Sequence, residues 1–259
     1  MTNGIHISLA AEPLFHLFGI PINNSLITGI VGSFVIMALF IMAARRVTLH
    51  PKSKFANTIE AICEMIIDLI EQVIPNRVKA RRYFPFLMTI FIFIVVNNWL
   101  GLLPGVGSIT VQTAEGAAPL FRGANADLNT TLALAMISVI MTQIYAAQEL
   151  GIAKHLKKYF SLNPILTFVG VLELVGEFSK MISFSFRLFG NIFAGEVLLA
   201  VIAFLMPAIA PLPFFGLEIF VGLVQALVFT MLTLVFLAIA TSDHSEYNHG
   251  EASGTHGHA

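Results

Sequence analysis

Apolar residues run along this chain in long unbroken stretches, not in the alternation of a half-buried strand. Five stretches reach the length of about 20 mostly apolar residues that a bilayer crossing needs. They are residues 25–44, 84–103, 128–150, 164–206 and 213–240. Arg45 and Arg46 close the first, Pro104 and Gly105 the second, and Gly151 the third. All five are expected to be α-helices, because a bilayer core offers no water to unpaired backbone groups. The fourth is too long. Pro164 suits its start and Pro207 its stop, and at about 1.5 Å per residue the helix would reach roughly 64 Å, twice the hydrocarbon thickness. Gly170, Gly176, Gly190 and Gly195 permit bending or close packing, but no proline interrupts the run. The expectation is one long tilted helix that forms a hairpin with the last.

Residues 55–74 follow a different rhythm. Glu60, Glu64, Asp68 and Glu71 fall within about 80° of one another at about 100° per residue. Ile62, Met65, Ile66, Leu69, Ile70 and Val73 fill the opposite face. This predicts an amphipathic helix lying on the inner membrane surface. Its acidic face reads either as a solvated surface or as a docking face for another subunit. Residues 241–259 carry Gly, Ser and the histidines His244, His249, His256 and His258. They read as a disordered tail, with metal binding by those histidines as the weaker alternative.

Composition agrees with the pattern. Of 259 residues, 57% are hydrophobic and 11% charged, against about 25% charged in soluble domains. That excludes a free soluble globule, and so much apolar sequence excludes disorder. The expected fold class is all-α: a polytopic membrane protein, one membrane domain over residues 1–259, without internal repeats. The net charge of -1 gives no attraction to nucleic acid, and the lone Cys63 excludes an internal disulfide framework. Residues 1–21 lack a basic segment before their apolar residues, so no cleavable signal peptide is expected. Basic residues set the orientation. Of the 14 Lys and Arg, all but Arg122, Lys180 and Arg187 lie in the loops after the first and third spans. With five crossings those loops share the inner side, the N-terminus is outside and the C-terminus inside.

Ionisable residues inside apolar segments cost on the order of 2.5–3.5 kcal/mol each at mid-helix, so they usually face a cavity and have a function. The long stretch holds Glu173, Glu177, Lys180, Arg187 and Glu196; the last holds Glu218 and the polar Gln225. On a helical wheel Glu173, Glu177, Lys180, Arg187 and Asn191 form one stripe, with Ser183 beside it and Glu196 nearly opposite. Arg187 and Glu196 sit about 13.5 Å apart along the axis, too far for a direct pair on a straight helix. Glu173, Glu177 and Lys180 either snorkel to the inner surface and pair there or belong to a path. Glu196 and Glu218 read either as a hydrogen-bonded pair or as proton carriers, and Gln225 as interhelical glue or as part of the same site. Arg187 lies too deep for easy snorkelling. Arginine does not release its proton, so it blocks protons and attracts carboxylates. Buried carboxylates, in contrast, can relay protons. The pattern suggests a proton path with a fixed positive barrier.

These residues sit in a longer resemblance. The segment S-F-S-F-R-L-F-G-N-I-F-A-G-E, from Ser183 to Glu196, resembles the signature of subunit a of the F-type ATP synthase. N-W-L-G-L-L-P from Asn98, A-D-L-N-T-T from Ala126, and Gln225-Ala226 in the last span are similar to further parts of that family, in the right order. The resemblance covers roughly residues 10 to 242. It implies that Arg187 is the stator arginine facing a rotating ring of c subunits. Glu196 would be the acid of an outer aqueous half-channel, and Glu218 its partner in the last helix. Gln225, Asn191 and Ser183 would belong to the same interface. Glu173, Glu177 and Lys180 would stand where an inner half-channel opens. Gly101 stands where some relatives carry an acid, so no role is transferred there.

The implied function is proton translocation coupled to ring rotation, in a bacterial inner membrane or the inner membrane of an organelle. The implied partners are the c ring, peripheral stalk b subunits, the rest of the synthase complex and the lipid membrane. No cofactor is expected. The chain has no phosphate loop, so it should be non-catalytic and should not bind ATP. An ion-coupled secondary transporter is the alternative, but it would be expected to show repeated halves and broken helices. An intramembrane hydrolase would need an H-E-x-x-H, a Ser-His dyad or paired aspartates. Asp68, Asp127 and Asp243 all lie at or outside span ends.

Overall fold

The computed structural model describes residues 12–17, 20–46, 54–103, 106, 109–113, 116–152, 155, 164–206 and 209–242. The histidine-bearing tail beyond residue 242 and the stretch 1–11 lie outside the described residues. Among the described residues the chain forms six α-helices: α1 (Asn24–Arg46), α2 (Lys54–Val73), α3 (Arg77–Gly101), α4 (Leu128–Leu150), α5 (Pro164–Leu205) and α6 (Pro211–Thr241). All but α2 are long and apolar enough to cross a membrane. The all-α polytopic reading therefore holds. The fourth hydrophobic stretch is a continuous helix of 42 residues.

Two short antiparallel hairpins accompany the helices. Strands β1 (Pro13–Leu17) and β2 (Ile20–Asn23) pair just before α1. Strands β3 (Thr110–Thr113) and β4 (Gly116–Pro119) pair between α3 and α4, with Thr113 opposite Gly116. The two hairpins meet at the same end of the bundle, where the Asn24 side chain donates to the Pro119 carbonyl at 3.1 Å. The opposite end holds the basic residues at the start of α3. There Lys79 and Arg82 clamp Glu149 at the end of α4, at 3.0 and 2.8 Å.

Local chemistry sets the helix ends. Helix α3 begins at Arg77, ahead of the apolar stretch that starts at Phe84. The Asn76 side chain caps it, accepting from the Val78 and Lys79 N–H groups at 3.0 and 3.2 Å. Asp127 caps α4 through the Asn129 N–H at 3.1 Å. Its other oxygen accepts from the Ser25 hydroxyl at 2.7 Å, so one carboxylate ties the start of α4 to the start of α1. Pro211 opens α6 at a position where a missing N–H costs nothing.

Lipid tails are as apolar as leucine, so helices in a membrane associate through close packing and interhelical hydrogen bonds. Both are present. Phe184 of α5 packs against the rings of Phe229 and Phe236 of α6, with centroids 4.9 and 5.5 Å apart. Tyr83, Leu87 and Ile94 of α3 are fully buried in the same core. Ile66 and Ile70 bury the apolar face of α2, while Glu60, Glu64 and Asp68 stay exposed. Buried hydroxyl pairs link Thr131 to Ser185 at 3.1 Å and Ser138 to Thr233 at 2.9 Å, fixing α4 against α5 and α6. The outer surface is apolar: Phe34, Phe168, Phe178 and Phe220 are each 60% or more exposed. Water would not tolerate such a surface, but lipid covers it without penalty.

Candidate functional site

The long hairpin α5–α6 carries every candidate residue. Its two helices run antiparallel, and polar contacts mark their register at three depths. Nearest the basic end, Lys180 pairs with Glu177 at 2.6 Å and lies over the Phe236 ring at 4.7 Å. Further along, the Asn191 amide donates to the Gln225 carbonyl oxygen at 3.2 Å. Near the hairpin end, the Glu218 carboxylate presses against Gly195, so closely that a Cβ at that position would overlap it.

The stripe expected on α5 therefore divides. Glu177, Lys180 and Asn191 are half-buried at the seam with α6, and Glu173 is half-buried as well. Ser183 and Arg187 face outward. They lie on an exposed stripe with Ser179, Ile182, Phe186, Gly190 and Ala194, at helical spacing. Most of these are small. A Cβ added to Gly190 meets nothing within 4 Å, so this side of the helix is open. Among the described residues the Arg187 guanidinium makes no ion pair and no side-chain hydrogen bond.

Glu196 and Glu218 do not bond to each other. Glu218 is buried, at 7% exposure. Glu196 is paired with Arg122, whose Nε lies 3.5 Å from its Oε2. This was not legible from the spacing, because Arg122 sits in the connection between β4 and α4, where an arginine is ordinarily solvated. Gln225 is buried, and its Nε2 has no hydrogen-bond partner among the described residues.

Two asparagines were also missed as site neighbours. Asn98 of α3 donates to the Gly222 carbonyl of α6 at 2.9 Å and accepts from the Asn125 amide at 2.7 Å. The Trp99 indole donates to the Ile219 carbonyl at 3.1 Å. These bonds fasten α3 and the α3–α4 connection to the turns of α6 that carry Glu218 and Gln225. A Cβ on Gly222 would come to 3.2 Å from the Asn98 Cβ, so the glycine permits the approach.

The sequence matches the family described as ATP synthase A chain over residues 25–238, a range that holds all of these groups. The chain belongs to the ATP synthase A chain family. A curated relative, the ATP synthase subunit a of Moorella thermoacetica, is 30% identical over 231 residues. That match covers 89% of this chain and 96% of the relative. As a family member the chain is the proton-translocating, multi-pass membrane subunit of an ATP synthase.

Among the described glycines of this subunit, Gly195 is the one approached most closely by another side chain, the buried Glu218 carboxylate. Gly195→Ala is expected to displace the buried carboxylate and destabilise the helix pair by about 1–3 kcal/mol, the usual cost of overpacking. Denaturant unfolding of the purified subunit in detergent measures this, and an unchanged midpoint contradicts the packing.

Proposed function

We propose that this chain is the stator half of a rotary proton machine, non-catalytic itself, with Arg187 facing a ring of c subunits. The observation that carries the reading is the exposed guanidinium on an apolar face of α5. A cation at that position in a membrane needs an anion or water beside it. None of the described residues supplies the anion, and in this reading a partner chain does. The small residues Ser179, Ser183, Gly190 and Ala194 beside it let another helix approach closely. A membrane carboxylate on a c subunit fits both requirements.

In this reading a proton enters from the outer side near Glu196 and Glu218, at the hairpin end of the bundle. It neutralises the ring carboxylate, which then tolerates contact with lipid. The ring turns until that carboxylate reaches Arg187, whose positive charge favours the ionised form and expels the proton. The proton leaves toward the basic end, past Glu173, Glu177 and Lys180. An arginine side chain does not release its proton, so Arg187 closes the direct route between the two clefts. Asn191 and Gln225, bonded to each other one turn from Arg187, keep α5 and α6 in register at that depth. A membrane potential contributes about 2.3 kcal/mol per proton for each 100 mV.

Basic residues then lie on the cytoplasmic side of a bacterial inner membrane, with the N-terminus outside and the C-terminus inside. Peripheral stalk b subunits hold the chain against the torque, and ATP chemistry belongs to the rest of the complex. Mechanistically, the two acids and the arginine do different work, so their substitutions separate. Arg187→Ala is expected to abolish ATP-driven acidification of vesicles bearing the complete complex; retained pumping contradicts the role. Glu196→Gln is expected to slow proton transport severalfold while the complex still assembles. An unchanged rate removes Glu196 from the path.

A further inference from the structure

The Arg122–Glu196 pair joins a residue outside the spans to one inside them. Arg122 follows β4, yet its side chain is only 7% exposed. Its backbone N–H donates to the Thr28 hydroxyl of α1 at 3.3 Å. Its guanidinium carbon lies 5.8 Å from the centroid of Phe193, one turn before Glu196 on α5. The residues after it are wedged in as tightly: Ala124, Asn125 and Ala126 are fully buried. Gly101 and Gly123 pass so closely that a Cβ on Gly101 would stand 3.1 Å from the Gly123 Cα. The connection is thus a fixed arm. It reaches from α1 across the end of the bundle and brings the Arg122 guanidinium to the Glu196 carboxylate.

Burying a guanidinium is costly unless its charge is met. Glu196, at 40% side-chain exposure, is the less buried partner, so the fixed arm and not the acid sets where the pair sits. We propose that Arg122 is a positioning residue for proton uptake. It holds the Glu196 carboxylate at the hairpin end of α5 and places a fixed positive potential over it. The inlet acid is then bracketed: Arg122 lies above it, and Arg187 lies two and a half turns below on the same helix. This inference rests on the reading of Glu196 as part of the proton path, and the experiment separates the two.

The test places a thiol where the carboxylate was. In the complete complex, with Cys63→Ser removing the native thiol, Glu196→Cys is labelled with an anionic and a cationic methanethiosulfonate. The two rates are corrected for reaction with a free thiol. With Arg122 present, the anionic reagent is expected to be favoured by about tenfold, the size of a close, partly screened charge interaction. Arg122→Lys keeps the preference and Arg122→Gln loses it. No preference in the arginine-bearing chain overturns the proposal, whether or not Arg122→Gln assembles, and so does a preference that survives Arg122→Gln. In parallel, with Glu196 restored, Arg122→Gln is expected to cut pumping about tenfold while Arg122→Lys retains most of it. Wild-type pumping by Arg122→Gln overturns the proposal. Labelling involves no proton transport. If the charge preference is intact but Glu196→Gln pumps at full rate, the path through Glu196 fails while the pairing stands.

Discussion

A guanidinium among lipid-facing side chains is stable only with an anion or water beside it. This constraint organises the hairpin. No acid of α5 is placed to neutralise Arg187 within the chain: Glu173, Glu177 and Glu196 lie nine or more residues from it on the same helix, about 13.5 Å or more along the axis. Glu177 is taken by Lys180, Glu196 by Arg122, and Glu218 is turned in against Gly195. The carboxylates with described partners are committed elsewhere. The arginine is left outward, with the small residues Ser183, Gly190 and Ala194 near it on the exposed stripe, available to a second chain.

The rest of the bundle supports that exposure by fixing the backbone around it. Ser185, two residues before Arg187, is fully buried against Thr131, and Leu188, the next residue, is fully buried in the core. Residues on either side of the arginine therefore anchor the helix inward while its own side chain points out. The asparagine link from Asn125 through Asn98 to Gly222 does the same for α6. In a bilayer these bonds have no water competing for them, and an unmade one leaves a buried polar group without a partner.

Much of the architecture was legible because the membrane restricts the choices. A span must be helical and about 20 residues long, so five apolar runs gave five helices, and the overlong run gave one continuous helix. The hairpins were not legible: strands of four or five residues carry too few positions to show alternation. Nor was the early start of α3, which the Asn76 cap sets and hydropathy does not. At the site, the candidates stood out because charge in an apolar run is conspicuous. Their partners did not. The pairing of Lys180 with Glu177 is local, three residues apart, and was open to inference. That of Glu196 with Arg122 depends on how the connection before α4 folds back, which no periodicity encodes.

The claim on which everything rests is that the open face around Arg187 is covered by the rotor. Gly190, one turn from Arg187, where an added Cβ would meet no described atom within 4 Å, gives a site to test it. In the complete complex, Gly190→Cys is combined with Cys63→Ser and with a cysteine beside the membrane carboxylate of the ring subunit, then oxidised. The account predicts a disulfide between this chain and the ring, blocking rotation until it is reduced. Absence of that cross-link, while a cysteine on the lipid-facing side of α1 behaves identically, would contradict it.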